Sequence, residues 1–391
     1  MSSQRRPPGS QASLREANRR RVVAAIKKQG SLTQVELAGA TGLSPASVSN
    51  IVKELAAAGV LRTTPSTRSG RRATLVSFAR AVGLVAGIHV SARHLRVMVA
   101  DVNGTVLGEN HMPLARDHRA DNELDRASLL LSDILGGLES GIDELRGVGV
   151  ALSAPIDRDT GRVAGRGMLR GWTGVDIVDV VHRRLRQPIF LDNASNLAAL
   201  AESRLGAARG QQNVVFLDVG DGVGSGLLLE GRVLRGHNGM AGELGHTVID
   251  EDGPVCRCGN RGCLEAVAGG PAILERLRDE GGVTKIGDIV VRAMGNDPAC
   301  LRALAEAGKH IGVATGNLCN LFDPERVVVG GDLARAGELL LGPIRQAMEA
   351  TTLAGGDLVP DVVQGQLGLS ASAMGAVVRA IDETNVSGAV L

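Results

Sequence analysis

The sequence has no uninterrupted apolar run long enough to cross a membrane, although 44% of its 391 residues are hydrophobic. A spanning helix needs roughly 18 or more such residues in succession. The basic N-terminal segment is not followed by an apolar stretch of the kind that directs export. We therefore expect a cytoplasmic protein, without a membrane partner, that buries a substantial core in two or three domains.

Cysteine is scarce and unevenly placed, with five residues in the whole chain. Cys300 and Cys319 stand singly in segments of helical periodicity, which indicates packed thiols in a reducing compartment rather than a disulfide. No internal repeat of roughly 20 to 50 residues is present either, which excludes a repeat architecture.

Acidic residues are rare in the first 80 positions, which hold 14 Lys or Arg against only Glu16, Glu36 and Glu54, a net charge of +11. The remaining residues carry a net charge of −10, so the total of +1 conceals a strong asymmetry. The basic segment also shows helical apolar periodicity, which favours nucleic-acid binding over a solvated tail. A three-helix packing module without DNA contacts remains the alternative.

Local signals divide this basic segment. Residues 1–13 are polar and basic and predict a disordered arm. Helices are then expected from Leu14 to Gly30, from Thr33 to Gly42, and from Ser44-Pro45 to Gly59, because Thr and Ser are good N-caps and Gly ends helices. A basic turn and a strand at 74–78 follow, so residues 14–80 predict an α+β winged helix-turn-helix.

In this motif the third helix enters the major groove and the wing meets phosphates or the minor groove. The candidate DNA contacts on the third helix and its cap are Ser44, Pro45, Ser47, Ser49, Asn50 and Lys53. The candidates on the wing are Arg68, Arg71 and Arg72. The expected partner is double-stranded operator DNA.

The pattern changes after residue 80 to apolar strands, with Asn103-Gly104 as a strong hairpin signal between two of them. A three-strand meander followed by alternating helices and strands predicts an α/β actin-like ATPase (ribonuclease H-like) domain of two lobes. We expect the first lobe at 81–212 plus 369–391 and the second at 213–368.

A histidine and three thiols lie close together in the second lobe: His246, Cys256, Cys258 and Cys263. These are the ligand types of a closed tetrahedral zinc site, and the intervening glycines allow tight turns. We therefore predict one structural Zn²⁺ per chain. A chance cluster of small buried residues is the alternative.

These residues also carry a family resemblance. The run Cys256-x-Cys258-Gly259-x-x-Gly262-Cys263-x-Glu265, preceded by Gly245-His246, resembles the signature of the ROK family. That family groups sugar kinases with sugar-responsive bacterial transcription regulators. The resemblance extends over the whole chain and leaves open which branch applies.

ROK kinases resemble the chain across residues 82–391, and their catalytic base is the Asp of an Asn-Asp-x-Asn run. The matching residues are Asn193-Ala194-Ser195-Asn196, so a methyl group replaces the base and no catalytic residue is predicted. Loss of a positioned base typically costs about 10² to 10⁴ in rate. Asp192, which directly precedes this run, is the alternative base.

The resemblance implies further losses on the nucleotide side. His89 stands where the family has a metal-binding Asp, and Asp221 stands where the kinases have a hydroxyl group. A carboxylate beside a triphosphate is repulsive. These departures argue against ATP hydrolysis.

The sugar side matches the family: Asn193, Glu243, His246 and Glu265 correspond to residues that hold the hydroxyls of the sugar. Carboxylates accept hydrogen bonds from hydroxyl groups, and an amide both donates and accepts. Solvated loop carboxylates at 243 and 265 remain the alternative.

The sequence is thus interpreted as a sugar-responsive transcriptional regulator, a repressor of carbohydrate-utilisation genes, that acts as a homodimer or homotetramer. Two alternatives stay open. One is an active sugar kinase fused to a DNA-binding head, and the other is a regulator switched by a protein partner instead of a sugar.

Overall fold

The computed structural model describes residues 11–68, 71–79, 82–165, 169–353 and 355–384. The N-terminal head consists of three helices and a three-stranded antiparallel sheet of order β1-β3-β2. Its elements are α1 Gln11–Gln29, β1 Leu32–Thr33, α2 Gln34–Thr41, α3 Pro45–Ala57, β2 Leu61–Arg68 and β3 Arg71–Phe78. Helix α1 begins earlier than expected, so residues 11–13 are helical and do not belong to an arm, while residues 1–10 lie outside the described residues.

Side-chain caps define the two helices of the helix-turn-helix. The Thr33 hydroxyl accepts a hydrogen bond from the Glu36 backbone N–H, and the Glu36 carboxylate accepts one from the Thr33 N–H, which forms a capping box. Helix α2 ends at Gly42, whose φ of +66° suits glycine. The Ser44 hydroxyl then caps α3 by accepting from the N–H of Ser47 at 3.2 Å. The predicted winged helix-turn-helix fold is confirmed.

Two five-stranded sheets follow the head in the described part of the chain. The first has the order β6-β5-β4-β7-β8 and the second the order β11-β10-β9-β12-β13, each with antiparallel and parallel pairs. The strands are β4 Leu84–Val90, β5 His94–Asp101, β6 Val106–Pro113, β7 Leu145–Leu152, β8 Ile189–Asn193, β9 Val214–Val219, β10 Val223–Leu229, β11 Arg232–Val233, β12 Arg326–Gly330 and β13 Asp361–Gln364. This is the expected pair of actin-like lobes.

Nine further helices cover the sheets in the described part of the chain. They are α4 Ala120–Gly137, α5 Ile177–Leu185, α6 Ala194–Leu205, α7 Leu264–Ala268, α8 Gly270–Arg276, α9 Ile286–Met294, α10 Pro298–Phe322, α11 Glu338–Thr351 and α12 Ala371–Glu383. Helix α12 packs on the first sheet, as its apolar face predicts, through Val377 and Ala380 beside Val85. Helix α6 lies between α12 and the second sheet, where Ala198 and Phe216 share one apolar cluster. None of the helices in the described ranges is long and apolar enough to cross a membrane.

Candidate functional site

Four potential metal ligands meet in the loop between β11 and α7. The donor atoms of His246, Cys256, Cys258 and Cys263 all lie within 4.8 Å of one another. Cys256 Sγ is 3.5 Å from His246 Nδ1, and Cys258 Sγ is 3.7 Å from Cys263 Sγ. A tetrahedral zinc ion about 2.3 Å from each sulfur would set neighbouring ligand atoms about 3.7 Å apart. The cluster is therefore suited to holding a metal ion.

Backbone hydrogen bonds hold Cys263 in this cluster. The Leu264 N–H donates to the Thr247 carbonyl at 2.9 Å, and the Gly262 N–H donates to the carbonyl of Pro254 at 2.8 Å. Gly262 has a φ of +66°, and a Cβ at this position would overlap the carbonyl group of Asp250. The close approach of the two backbone segments thus depends on glycine.

Arg257, which the sequence analysis did not select, connects this loop to the candidate sugar site. Its guanidinium forms two hydrogen bonds to the Glu265 carboxylate, at 2.6 and 2.7 Å. The backbone N–H of Val223 donates to the same carboxylate at 3.2 Å. The only sequence signal for Arg257 was its position between Cys256 and Cys258. The loop that carries the four potential metal ligands, called the metal loop below, therefore also orients Glu265.

The other predicted sugar contacts differ in how freely they can accept a ligand. Burial and the nearby charge of Glu265 raise the pKa of Glu243 to about 7, and within the described residues its carboxylate accepts no hydrogen bond. Asn193 is instead the N-cap of α6: its Oδ1 accepts from Ser195 N–H at 2.7 Å, and its Nδ2 donates to the Ala154 carbonyl at 3.1 Å. Its amide was expected to donate and accept freely, but only one N–H remains for a ligand.

A cavity of about 270 Å³ brings the predicted sugar residues together between the two sheets. Asn193, Glu243, His246 and Glu265 all line it, together with Arg257. His246 thus belongs both to the metal cluster and to the cavity wall. One imidazole can therefore connect the two sites.

The cavity also reaches His89 and Asp221, the two residues that the family resemblance assigns to the nucleotide side. His89 is held 3.3 Å from the Ser153 hydroxyl, and burial, with a contribution from Arg96, lowers its pKa to about 3. Arg93 Nε, after β4, lies 3.4 Å from Asp221 Oδ1, after β9. Residues 93 and 221 are far apart in the sequence. In the folded chain they form one ion pair between the two lobes.

The residue at the position where the family resemblance implies a base is apolar. Ala194 is 1% exposed and belongs to a buried cluster with Ala151 and Leu197. Asp192, the alternative base, is not among the residues that line the cavity: its Oδ2 accepts two hydrogen bonds from Arg235, at 2.6 and 2.8 Å, and its Oδ1 accepts from the Asn193 N–H at 2.9 Å. Its carboxylate is committed to this ion pair, so the structure favours neither residue as a base.

The candidate DNA-binding face of α3 is accessible. Asn50 and Lys53 are exposed, one helical turn apart, and Ala46, which was not predicted, is exposed on the same face. Ser44 and Pro45 are also exposed at its N-terminus, whereas Ser47 and Ser49 are half-buried. Arg68, Arg71 and Arg72 lie in the strands of the wing, and their side chains fall outside the described residues.

Two family matches cover most of the chain. Residues 85–383 match the ROK family, and residues 15–62 match a winged helix-turn-helix DNA-binding family. The chain belongs to the ROK family. It is homologous to sugar-responsive repressors that carry such a head.

Individual relatives come from both branches of the family. The xylose repressor of Bacillus subtilis (strain 168) is 26% identical over 371 residues, which cover 93% of this chain and 95% of the repressor. The glucokinase of Halalkalibacterium halodurans is 31% identical over 291 residues, which cover 68% of this chain and 86% of the kinase. A crystal structure of a ROK family transcriptional regulator, a homologue of the Escherichia coli MLC protein, superimposes with a TM-score of 0.76 and 24% identity over 96% of this chain and 99% of that one. The regulators thus match the head as well as the lobes.

Proposed function

We propose that this protein is a transcriptional repressor of carbohydrate-utilisation genes that binds operator DNA through its head and a sugar between its two lobes. The observation that carries the proposal is the coexistence of an accessible α3 face with a cavity whose wall residue Asn193 is followed by Ala194, where the family resemblance implies an Asp in the kinases. The sugar acts as a signal in this cleft and no phosphoryl group is transferred.

The sugar contacts follow from the cavity wall. Glu243 accepts hydrogen bonds from hydroxyl groups, because its carboxylate has no partner within the described residues. Glu265 is oriented by Arg257, and Asn193 donates its remaining N–H. Carboxylates and amides at such positions recognise hydroxyl pairs.

One zinc ion, held by His246, Cys256, Cys258 and Cys263, orders this wall. Metal on Nδ1 of His246 fixes the tautomer of the ring and leaves Nε2–H as a donor. Because a structural zinc site stabilises the fold of its own loop, loss of the metal should disorder the loop that carries Arg257.

Three measurements with one preparation test the proposal. The purified protein selects fragments from genomic DNA, and gel shift then measures operator affinity with D-xylose, D-glucose or N-acetyl-D-glucosamine. Calorimetry measures the binding of each sugar, and a coupled assay measures release of ADP. Selection of specific fragments, and weaker operator binding with one sugar, are expected. Failure to select any DNA sequence would refute the proposal.

An active sugar kinase with a DNA-binding head is the second candidate, supported by the 31% identity to a glucokinase. Sugar-dependent ADP release in the same assay would establish it. The third possibility is a regulator controlled by a protein partner. Calorimetry distinguishes it from the other two, because a partner-controlled regulator is expected to bind none of the three sugars.

We also propose a homodimer or homotetramer, which places two heads on a palindromic or tandem operator. Light scattering of the purified chain gives the mass, and a monomer at micromolar concentration would contradict this part of the proposal.

A further inference from the structure

The C-terminal ends of three helices meet where the head joins the lobes. Arg204, in the last turn of α6, donates from Nη1 to the carbonyl of Lys28, in the last turn of α1, at 3.0 Å. The same guanidinium pairs with Asp382 near the end of α12, at 3.0 and 3.4 Å. The Lys27 ammonium donates to the carbonyl of Thr384, which follows α12. We call these five residues the junction.

The junction has a clear electrostatic basis. The C-terminal end of a helix carries partial negative charge from its unpaired carbonyl groups, and three such ends repel one another unless cations lie between them. Arg204 and Lys27 supply these cations, and each bonds a terminal carbonyl of another helix. Arg204 and Asp382 are only 20% and 26% exposed, so solvent screens their pairing less than it screens a surface ion pair.

The opposite ends of two of these helices lie at the sugar cavity. Asn193 caps α6 and Ser195 lies in its first turn, while Ala371 and Ser372 begin α12, and all four line the cavity. A helix of this length spans about 18 Å. Helices α6 and α12 therefore both run from the cavity to the head.

Close packing makes the two helices one unit. Gly375 of α12 lies against the backbone of Leu197 in α6, and a Cβ at position 375 would overlap the Leu197 carbonyl. Packed elements of this kind transmit displacement rather than absorb it. A ligand that moves the N-terminal end of α6 would therefore move Arg204 as well.

The head has a second attachment, to a turn of the first lobe. The Phe78 N–H donates to Asn103 Oδ1 at 2.6 Å, and Asn103 Nδ2 donates to the Phe78 carbonyl at 3.0 Å. Asn103 lies in the β5–β6 turn of the first lobe. The head is therefore held to the lobes both at this turn and at the junction.

We propose that Arg204 is a positioning residue that couples the angle of the DNA-binding head to the state of the sugar cavity through α6 and α12. This inference rests on the proposed function and adds to it a route and a residue. Arg204 touches neither the cavity nor the α3 face. It acts through its bonds to Lys28 and Asp382.

The test compares Arg204→Ala with the wild type and with a matched control. Arg184→Ala is the control, because Arg184 is 25% exposed, donates to Asp125 at 2.6 Å and donates to a helix carbonyl at 3.1 Å, all within the first lobe. Asp382→Asn is a second variant that weakens the junction with little change in shape. The DNA probe is the sequence that the wild type enriches from a random library, and the sugars are D-xylose, D-glucose and N-acetyl-D-glucosamine.

The deciding quantity is the ratio of operator Kd with and without sugar, measured beside the sugar Kd. For the wild type and Arg184→Ala we expect a ratio on the order of tenfold. In Arg204→Ala it should fall to about threefold or less, with the sugar Kd unchanged within about twofold, and Asp382→Asn should fall between. A merely structural role would lower the melting temperature and leave the ratio unchanged, and that result would overturn the inference.

Hydrogen exchange of the last turn of α1 supplies a readout that needs no sugar. Exchange there should be faster in Arg204→Ala than in Arg184→Ala, and equal rates would also overturn the inference. A wild type that binds its selected DNA but responds to none of the three sugars contradicts the sugar-sensing proposal instead. The exchange comparison then decides whether Arg204 sets the angle of the head.

Discussion

Two glycines of the metal loop provide a matched test of how the backbone builds the cluster. Gly259 and Gly262 both have positive φ, +97° and +66°. A Cβ at 259 would have no atom within 4 Å, whereas a Cβ at 262 would overlap the Asp250 carbonyl. Alanine at either position therefore strains the backbone, and only alanine at position 262 also creates a steric overlap.

The magnitudes follow from these two costs. A non-glycine residue in the left-handed region costs about 1–2 kcal/mol, so Gly259→Ala should weaken zinc binding by roughly 5- to 30-fold. Overlap with a backbone carbonyl adds about 1–3 kcal/mol, so Gly262→Ala should lose about 2–5 kcal/mol, or roughly 30-fold to several thousand-fold. These costs of folding the loop can be converted to losses of zinc affinity because the loop becomes ordered when it binds the metal.

Competition with a chromophoric chelator measures both zinc affinities, with metal content by elemental analysis as a check. Sugar binding should weaken in parallel in Gly262→Ala, since Arg257 and Glu265 depend on the same loop. Equal affinities for the two variants would refute the argument from overlap, and wild-type affinity in both would refute the metal role of the loop.

Three further predictions concern the head, the cleft and the pH dependence. Asn50→Ala and Lys53→Ala should each weaken operator binding in gel shift by about 1–3 kcal/mol and leave sugar binding alone, while Lys285→Ala, which removes an exposed charge outside the head, should do neither. Ala194→Asp should not release ADP with any sugar; robust turnover would contradict the sensor proposal. Burial and the nearby Asp332 raise the pKa of Asp218 to about 6, so its ionisation opposes folding and the unfolding free energy should fall as the pH rises from about 4 through 6. The melting temperature of Asp218→Asn should fall less over this range, and an equal fall would show that Asp218 does not titrate this way.

Local signals were enough to predict the elements that depend on a few neighbouring residues. Ser44-Pro45 starts α3, and Asn103-Gly104 connects β5 to β6, because caps and turns are determined within about four residues. That His246, Cys256, Cys258 and Cys263 come together was also predictable, since all four residues lie within one short stretch of the chain; that they hold zinc stays a prediction.

Contacts between distant segments were not predictable in this way. The bonds that engage Asn193 come from its role as a helix cap, and the Arg257 pairing depends on a loop fold that spacing alone does not determine. The division at residues 212 and 213 stays a prediction. Helix α6 was assigned to the first lobe by sequence order, but Ala198 also packs with Phe216 of the second sheet.

The ion pair between Arg93 and Asp221 explains how this cleft can serve a sensor. Asp221 alone would repel a phosphate, but in its pair with Arg93 it joins the two lobes. Arg93 is 41% exposed and Asp221 is 29% exposed, so solvent screens the pair and it contributes roughly 1 kcal/mol or less. A contact this weak cannot hold the cleft closed by itself. A sugar that touches both lobes then needs only a modest difference in affinity between the open and closed forms to shift their populations. Such a switch needs no nucleotide.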